Sequence, residues 1–162
     1  MTAQTENDQH RIVVGVDGSV PSKAALAWAI THARLTGATV EAVIAWEFPT
    51  MVGYPMLTSD VDWEDLAVRV VGDAVADVSG SGEPVKITNK VVQGNAAQVL
   101  LDESAGADLL VVGSRGHSGF VEALLGSTGQ HCVQHANCPV VVIRDSITGP
   151  RREQRGAEAL GH

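Results

Sequence analysis

The chain has 162 residues, 44% hydrophobic and 19% charged, which fits one packed domain and excludes wholesale disorder. Its 11 Lys and Arg against 19 Asp and Glu leave a net charge of −8. With no basic cluster it is a poor candidate for binding nucleic acid or an anionic membrane, and any anionic ligand must be held by local groups against an unfavourable global field.

Residues 1–10 are polar, lack the apolar core of a secretory signal and read as a disordered N-terminus. The apolar run Ile12 to Val16 ends at Asp17-Gly18-Ser19 and reads as a strand buried on both faces. Ser19 or Ser22 is the cap of a helix over 21–36, with Pro21 in its first turn. Ala24, Ala25, Trp28, Ala29 and Leu35 set its apolar spacing, and Gly37 stops it. Thr39 to Trp46 is a second strand. The connection Trp46 to Leu57 is unusually apolar, so it covers a ligand, packs at a subunit contact or folds over its own domain. A helix over 60–79 has Val61, Leu66, Val70, Ala74 and Val78 as its apolar positions. Pro84 to Val92 is a weaker, more polar third strand, as at a sheet edge, and Asn95 to Ala105 is a short helix. Leu109 to Gly113 is a strongly apolar fourth strand. A glycine-rich loop follows, then a helix over Ser127 to His135 and a last strand over Pro139 to Arg144. Residues 145–162 carry charges, Gly and Pro and read as a disordered tail.

One domain over 11–144 therefore remains, with no internal repeat and no second boundary. No apolar run approaches the ~20 residues that cross a bilayer, so membrane insertion is not expected. Cys132 and Cys138 have neither CxxC spacing nor the density of a secreted scaffold and read as reduced, half-buried thiols in a cytoplasmic protein. The alternation of strands and helices predicts an α/β fold, a doubly wound parallel sheet with helices on both faces. In such sheets ligands sit beyond the carboxyl ends of the strands, where the strand order reverses. The first and fourth strands, the most apolar, are expected as central neighbours, with Asp17 and Gly113 facing one crevice.

The stretch with chemistry in it is Gly113-Ser114-Arg115-Gly116-His117-Ser118-Gly119, continuing to Gly126-Ser127-Thr128 before a helix. Glycines admit positive φ and close approach of backbone N–H groups to a phosphate. A helix N-terminus adds free donors and a partial positive charge, the hydroxyls of Ser127 and Thr128 add more, and Arg115 adds a charged fork. At ~4 Å and an effective dielectric of ~20, one Arg–phosphate contact is attractive by about 4 kcal/mol before desolvation, enough to outweigh a distant net charge. The competing reading is a glycine loop that only turns the chain.

GSRGHSGFVEALLGSTGQHCVQHANCPVVVIR resembles the carboxyl-terminal signature of universal stress proteins of the ATP-binding subclass. VVGVDGS followed by SKAALAWA is similar to that family's first strand and helix. The resemblance covers about 11–144 and rests most on the G-2x-G-9x-G-S spacing. It implies a five-stranded parallel sheet in the order 3-2-1-4-5, with ATP as ligand. Asp17 would then contact the ribose or adenine, the backbone at Gly15 and Ala45 would border the adenine, and Gly113 would lie against the ribose. Arg115, Gly116 and the following His117, Ser118 and Gly119 would approach the phosphates, and Gly126, Ser127 and Thr128 would cradle them. The resemblance also implies a homodimer through the last strand. Val140, Val141, Val142 and Ile143 agree with that, since an uncharged apolar edge invites pairing about a two-fold axis.

Some residues keep a second reading. Asp17 before Gly18 is also a common turn residue. A phospho-acceptor receiver domain would need a second acid there and a lysine on the last strand, and has neither. His117 either contacts phosphate or is solvated. His131 and His135 stand i, i+4 on a helix, a metal-binding spacing, but no third ligand is near in sequence, so surface or packing histidines are expected and no metal ligands are assigned.

These observations predict a cytoplasmic ATP-binding stress-response regulator in which nucleotide sets conformation or the choice of an unidentified protein partner. With no Walker A motif, no clear base and no arginine finger, hydrolysis is expected to be slow at most. Mg²⁺ is expected with the phosphates because few protein cations are at hand. The alternatives are a weak ATPase, a cyclic AMP-binding protein and a nucleotide-independent dimeric interaction module. HxGH and SGGxDS motifs of other nucleotide enzymes are missing.

Overall fold

The structure is a computed structural model that describes residues 9–51, 54–55, 60–114 and 125–144. In chain order it has β1 (Arg11–Gly15), α1 (Val20–Thr36), β2 (Thr39–Trp46), β3 (Thr50–Met51), β4 (Tyr54–Pro55) and α2 (Trp63–Val78). Then come β5 (Ile87–Gln93), α3 (Ala96–Glu103), β6 (Leu109–Gly113), α4 (Ser127–His135) and β7 (Val140–Ile143). Five strands form one parallel sheet, ordered β5-β2-β1-β6-β7. Counted along that sheet the order is 3-2-1-4-5, with β1 and β6 as central neighbours, as expected.

The central strands are continuous apolar runs because both faces are covered. On one face Ile12, Val14, Ala42, Ile44 and Val111 meet Ala25, Leu26, Ala29 and Ile30 of α1 and Ala67, Val71 and Ala74 of α2. On the other, Val13, Val43, Leu110 and Val112 meet Val99 and Leu100 of α3 and Cys132 of α4. Both cysteines are free; Cys138 is half-buried. Burial pushes the Cys132 thiol up to about 11, so this group packs as a small hydrophobe instead of reacting.

Ser19, not Ser22, caps α1: its Oγ accepts the Ser22 N–H at 3.3 Å. Gly37 ends that helix in the left-handed region, φ 73°, and donates its N–H to the Ala33 carbonyl at 2.8 Å. Three expected inward positions are corrected. Leu35 is 81% exposed, because it lies on the side of α1 turned away from Ala25, Leu26, Ala29, Ile30 and Ala33, which face the sheet; Val61 and Leu66 are each 45% exposed. In α2 the stripe is Ala67, Val71 and Ala74. Steps of four alone advance ~40° each and spiral off the face, whereas mixing fours and threes holds it. Val61 precedes that helix, which starts at Trp63 with Asp62 as its cap. The apolar connection after β2 holds an unforeseen hairpin, β3 pairing antiparallel with β4.

Replacing Leu26, fully buried, by Ala should lower unfolding free energy by about 2–5 kcal/mol in urea titration. Leu35→Ala should change it by less than about 0.5 kcal/mol. Equal losses would contradict the assigned face of α1.

Candidate functional site

A cavity of about 120 Å³ opens at the carboxyl ends of β1 and β6, the place the topology designates. Its walls are built from four local arrangements.

The first is the turn between β1 and α1. The Ser19 N–H donates to Asp17 Oδ1 at 2.9 Å, and the Ser19 hydroxyl donates to the same oxygen. The Asp17 N–H donates to the buried Ser22 Oγ at 3.3 Å, and that hydroxyl donates to the Ser19 carbonyl at 3.0 Å. Asp17 is thus a turn residue and a lining residue at once.

The second is Gly113, at the end of β6. A Cβ there would meet the Pro21 carbonyl carbon at 2.7 Å and its oxygen at 2.8 Å. Glycine is required by the backbone of α1, quite apart from any ligand. The third is Gly15, where a Cβ would meet only the movable tip of Leu100, 2.7 Å away. Leu100 and Ala96 of α3 line the cavity with Val43 and Ala45 of β2.

The fourth is the start of α4. Gly126 is its N-cap, with no side chain to cap the helix. The Gln130 N–H is the first to find a helical partner, the Gly126 carbonyl at 2.9 Å. The N–H groups of Ser127, Thr128 and Gly129 therefore have no partner within the helix, and all three residues line the cavity. The Gly126 N–H donates to the Ser114 carbonyl at 2.7 Å, and the Ser114 N–H donates to the Ile143 carbonyl at 2.8 Å. The two ends of the glycine-rich loop are pinned together at the end of the sheet.

Of the residues expected from the sequence, Gly15, Asp17, Ala45, Gly113, Gly126, Ser127 and Thr128 all line this one cavity. Arg115, Gly116, His117, Ser118 and Gly119 lie outside the described residues. Val16, Ser22, Val43, Ala96, Leu100, Val112 and Gly129 also line it and were not anticipated. Most are apolar floor, which carries no motif. Gly129 had a signal, as the next glycine after Gly126 on a helix that packs close to β6: a Cβ there would meet Leu125 Cδ1 at 2.8 Å and the Gly113 carbonyl oxygen at 3.6 Å. Among the described lining residues Asp17 is the only charged one. Chemically the site offers an apolar slot, a carboxylate and a row of backbone and hydroxyl donors.

Gly113→Ala should destabilise the fold by about 1–3 kcal/mol, because Pro21 backbone cannot step aside, and Gly15→Ala should cost less, because the Leu100 tip can. Chemical denaturation of the two variants checks the order; a costlier Gly15→Ala would refute this account of the packing.

A family model for the universal stress protein family matches residues 9–144. A universal stress protein of Mycobacterium tuberculosis is 35% identical over 143 residues, which cover 86% of this chain and 47% of that protein. The chain thus spans about half the length of the curated relatives it matches. Among solved structures, a universal stress protein from Lactobacillus plantarum superposes with a TM-score of 0.63 at 23% identity, covering 83% of this chain and 97% of that one. A universal stress protein solved in complex with cAMP gives 0.57 at 25% identity, covering 83% and 95%. Sheet order, carboxyl-end cavity and sequence match agree, and the chain belongs to the universal stress protein family.

Proposed function

We propose that the cavity binds an adenine nucleotide, ATP with Mg²⁺, and that its occupancy acts as a regulatory switch in the stress response, in the cytoplasm. One observation carries the reading: α4 begins uncapped at the cavity, with Gly126, Ser127, Thr128 and Gly129 opposite Gly15, Asp17 and Ala45. A helix start of this kind suits phosphate, since N–H donors and the positive dipole end point the same way. The slot between Ala45, Val43 and Leu100 suits a flat apolar base. Asp17 would accept from a ribose hydroxyl. Gly113 would lie against the sugar, and Arg115, Gly116, His117, Ser118 and Gly119 would close over the phosphates. Mg²⁺ would supply the positive charge that the described lining lacks.

The output would run through α4. Its first turn would hold phosphate, and its end leads in four residues to β7, whose Val140, Val141, Val142 and Ile143 are all half-buried at the sheet edge. A second copy pairing on β7 would make the homodimer, and dimer or partner choice would follow the nucleotide. Any hydrolysis would be slow, because Asp17 Oδ1 is already engaged in its own turn.

Cyclic AMP is the second reading. It is favoured by the relative solved with cAMP and by Asp17 as the only charged described lining residue, because a monoanion needs less neutralisation than a triphosphate.

Calorimetric titration of nucleotide-free protein with ATP and Mg²⁺, cyclic AMP and AMP is the direct test. Gly126→Val should cut ATP affinity by about tenfold to a hundredfold, the loss of one or two charge-assisted hydrogen bonds. The fold should survive, since φ −68° and ψ 163° at Gly126 suit any residue. Full affinity in the folded variant would refute the phosphate cradle. No binding of any nucleotide by the wild type would favour a nucleotide-independent module. Val141→Asp should turn dimer into monomer by light scattering, and an unchanged mass would place the interface elsewhere.

A further inference from the structure

We propose that His131 and His135 form a two-imidazole site for a divalent transition-metal ion on the outer face of α4. Both side chains are exposed and stand i, i+4 on the helix. Their ring centroids lie 4.4 Å apart, with the planes tilted by 47°. Cβ atoms at this spacing are ~5–6 Å apart, so the rings lean toward each other instead of splaying into water. That convergence puts two nitrogen donors within reach of one ion.

Two further features favour a cation there. His135 is in the last turn of α4, where unpaired carbonyls make the negative end of the helix dipole. The chain as a whole carries a net charge of −8. Among the described residues no group of three or more His, Cys, Asp or Glu is placed to hold a metal ion, so the described share of the chelate is the two imidazoles. Imidazole without carboxylate selects Cu²⁺, Ni²⁺ or Zn²⁺ and leaves the hard, oxygen-seeking Mg²⁺ aside. The site is therefore distinct in chemistry from any Mg²⁺ that accompanies phosphates at the other end of the helix. Chelation would clamp one turn of a helix only 9 residues long, which is too short to be stable on its own.

The test is calorimetric titration of the full, tag-free chain with NiCl₂. One Ni²⁺ per chain is expected, unaffected by millimolar Mg²⁺. His131→Gln and His135→Gln should each weaken binding by about tenfold or more, at least the cost of losing an outer-sphere partner in established metal sites. His10→Gln should leave it unchanged. Circular dichroism checks that the variants, both at exposed positions, keep their helix. Equal Ni²⁺ affinity in wild type and both variants would overturn the proposal. So would a stoichiometry of one ion per two chains, which would assign the metal to a site shared between copies.

Discussion

The first turn of α1 can lie against the end of β6 only because residue 113 has no side chain, since a Cβ would stand 2.7 Å from the Pro21 carbonyl carbon. The Gly113 carbonyl oxygen in turn is the near neighbour of Gly129 in α4. Gly113 thus clears the start of α1 on one face of the sheet, and Gly129 brings α4 close on the other. The turn holding Asp17 is the lead-in to α1, and the donors of Ser127 and Thr128 are the lead-in to α4. The cavity between them is as much a product of packing as of any ligand requirement.

The parallel sheet gives this edge its electrical character. Every strand of the main sheet points the same way, so helices that follow β1 and β6 begin at the same end. α1 answers its exposed donors internally, through Ser19 and the Asp17–Ser19–Ser22 bonds. α4 has no such side chain at Gly126. The two helix starts differ, the first with its Ser22 N–H capped by Ser19 and the second with no side-chain cap at Gly126, and the second lines the cavity. The opposite edge is closed differently: Arg11 donates to the carbonyls of Glu103 and Ala105 and pairs with Glu41 at 3.2 Å.

Much of this was legible in the sequence, for reasons that differ by element. β2 and β6 match their expected bounds because a buried parallel strand is a solid apolar run between clear stops. α4 was legible from its glycine and serine start. The face of α2 was not, because its valines and alanines surround much of the helix and only the packed fold selects Ala67, Val71 and Ala74. Leu35 looked buried by composition, yet it stands on the side of α1 away from the sheet, opposite the buried Ala33. At the cavity, residues with distinctive chemistry stood out, whereas Val43, Ala96 and Leu100 did not, since any core uses such residues. Ala45 came only from family resemblance. Gly113 lines the cavity, and packing against Pro21 supplies a reason for it that no linear pattern contains.

The bond between the Gly126 N–H and the Ser114 carbonyl has a consequence for how such a protein can diversify. It fastens the loop at its base, next to Ser114's own tie to Ile143, so the end of the sheet and the start of α4 are joined directly. Changes of length or sequence between two such fixed ends cost little in loop closure. The frame that carries the cavity can thus be inherited unchanged while the segment between its fixed ends varies.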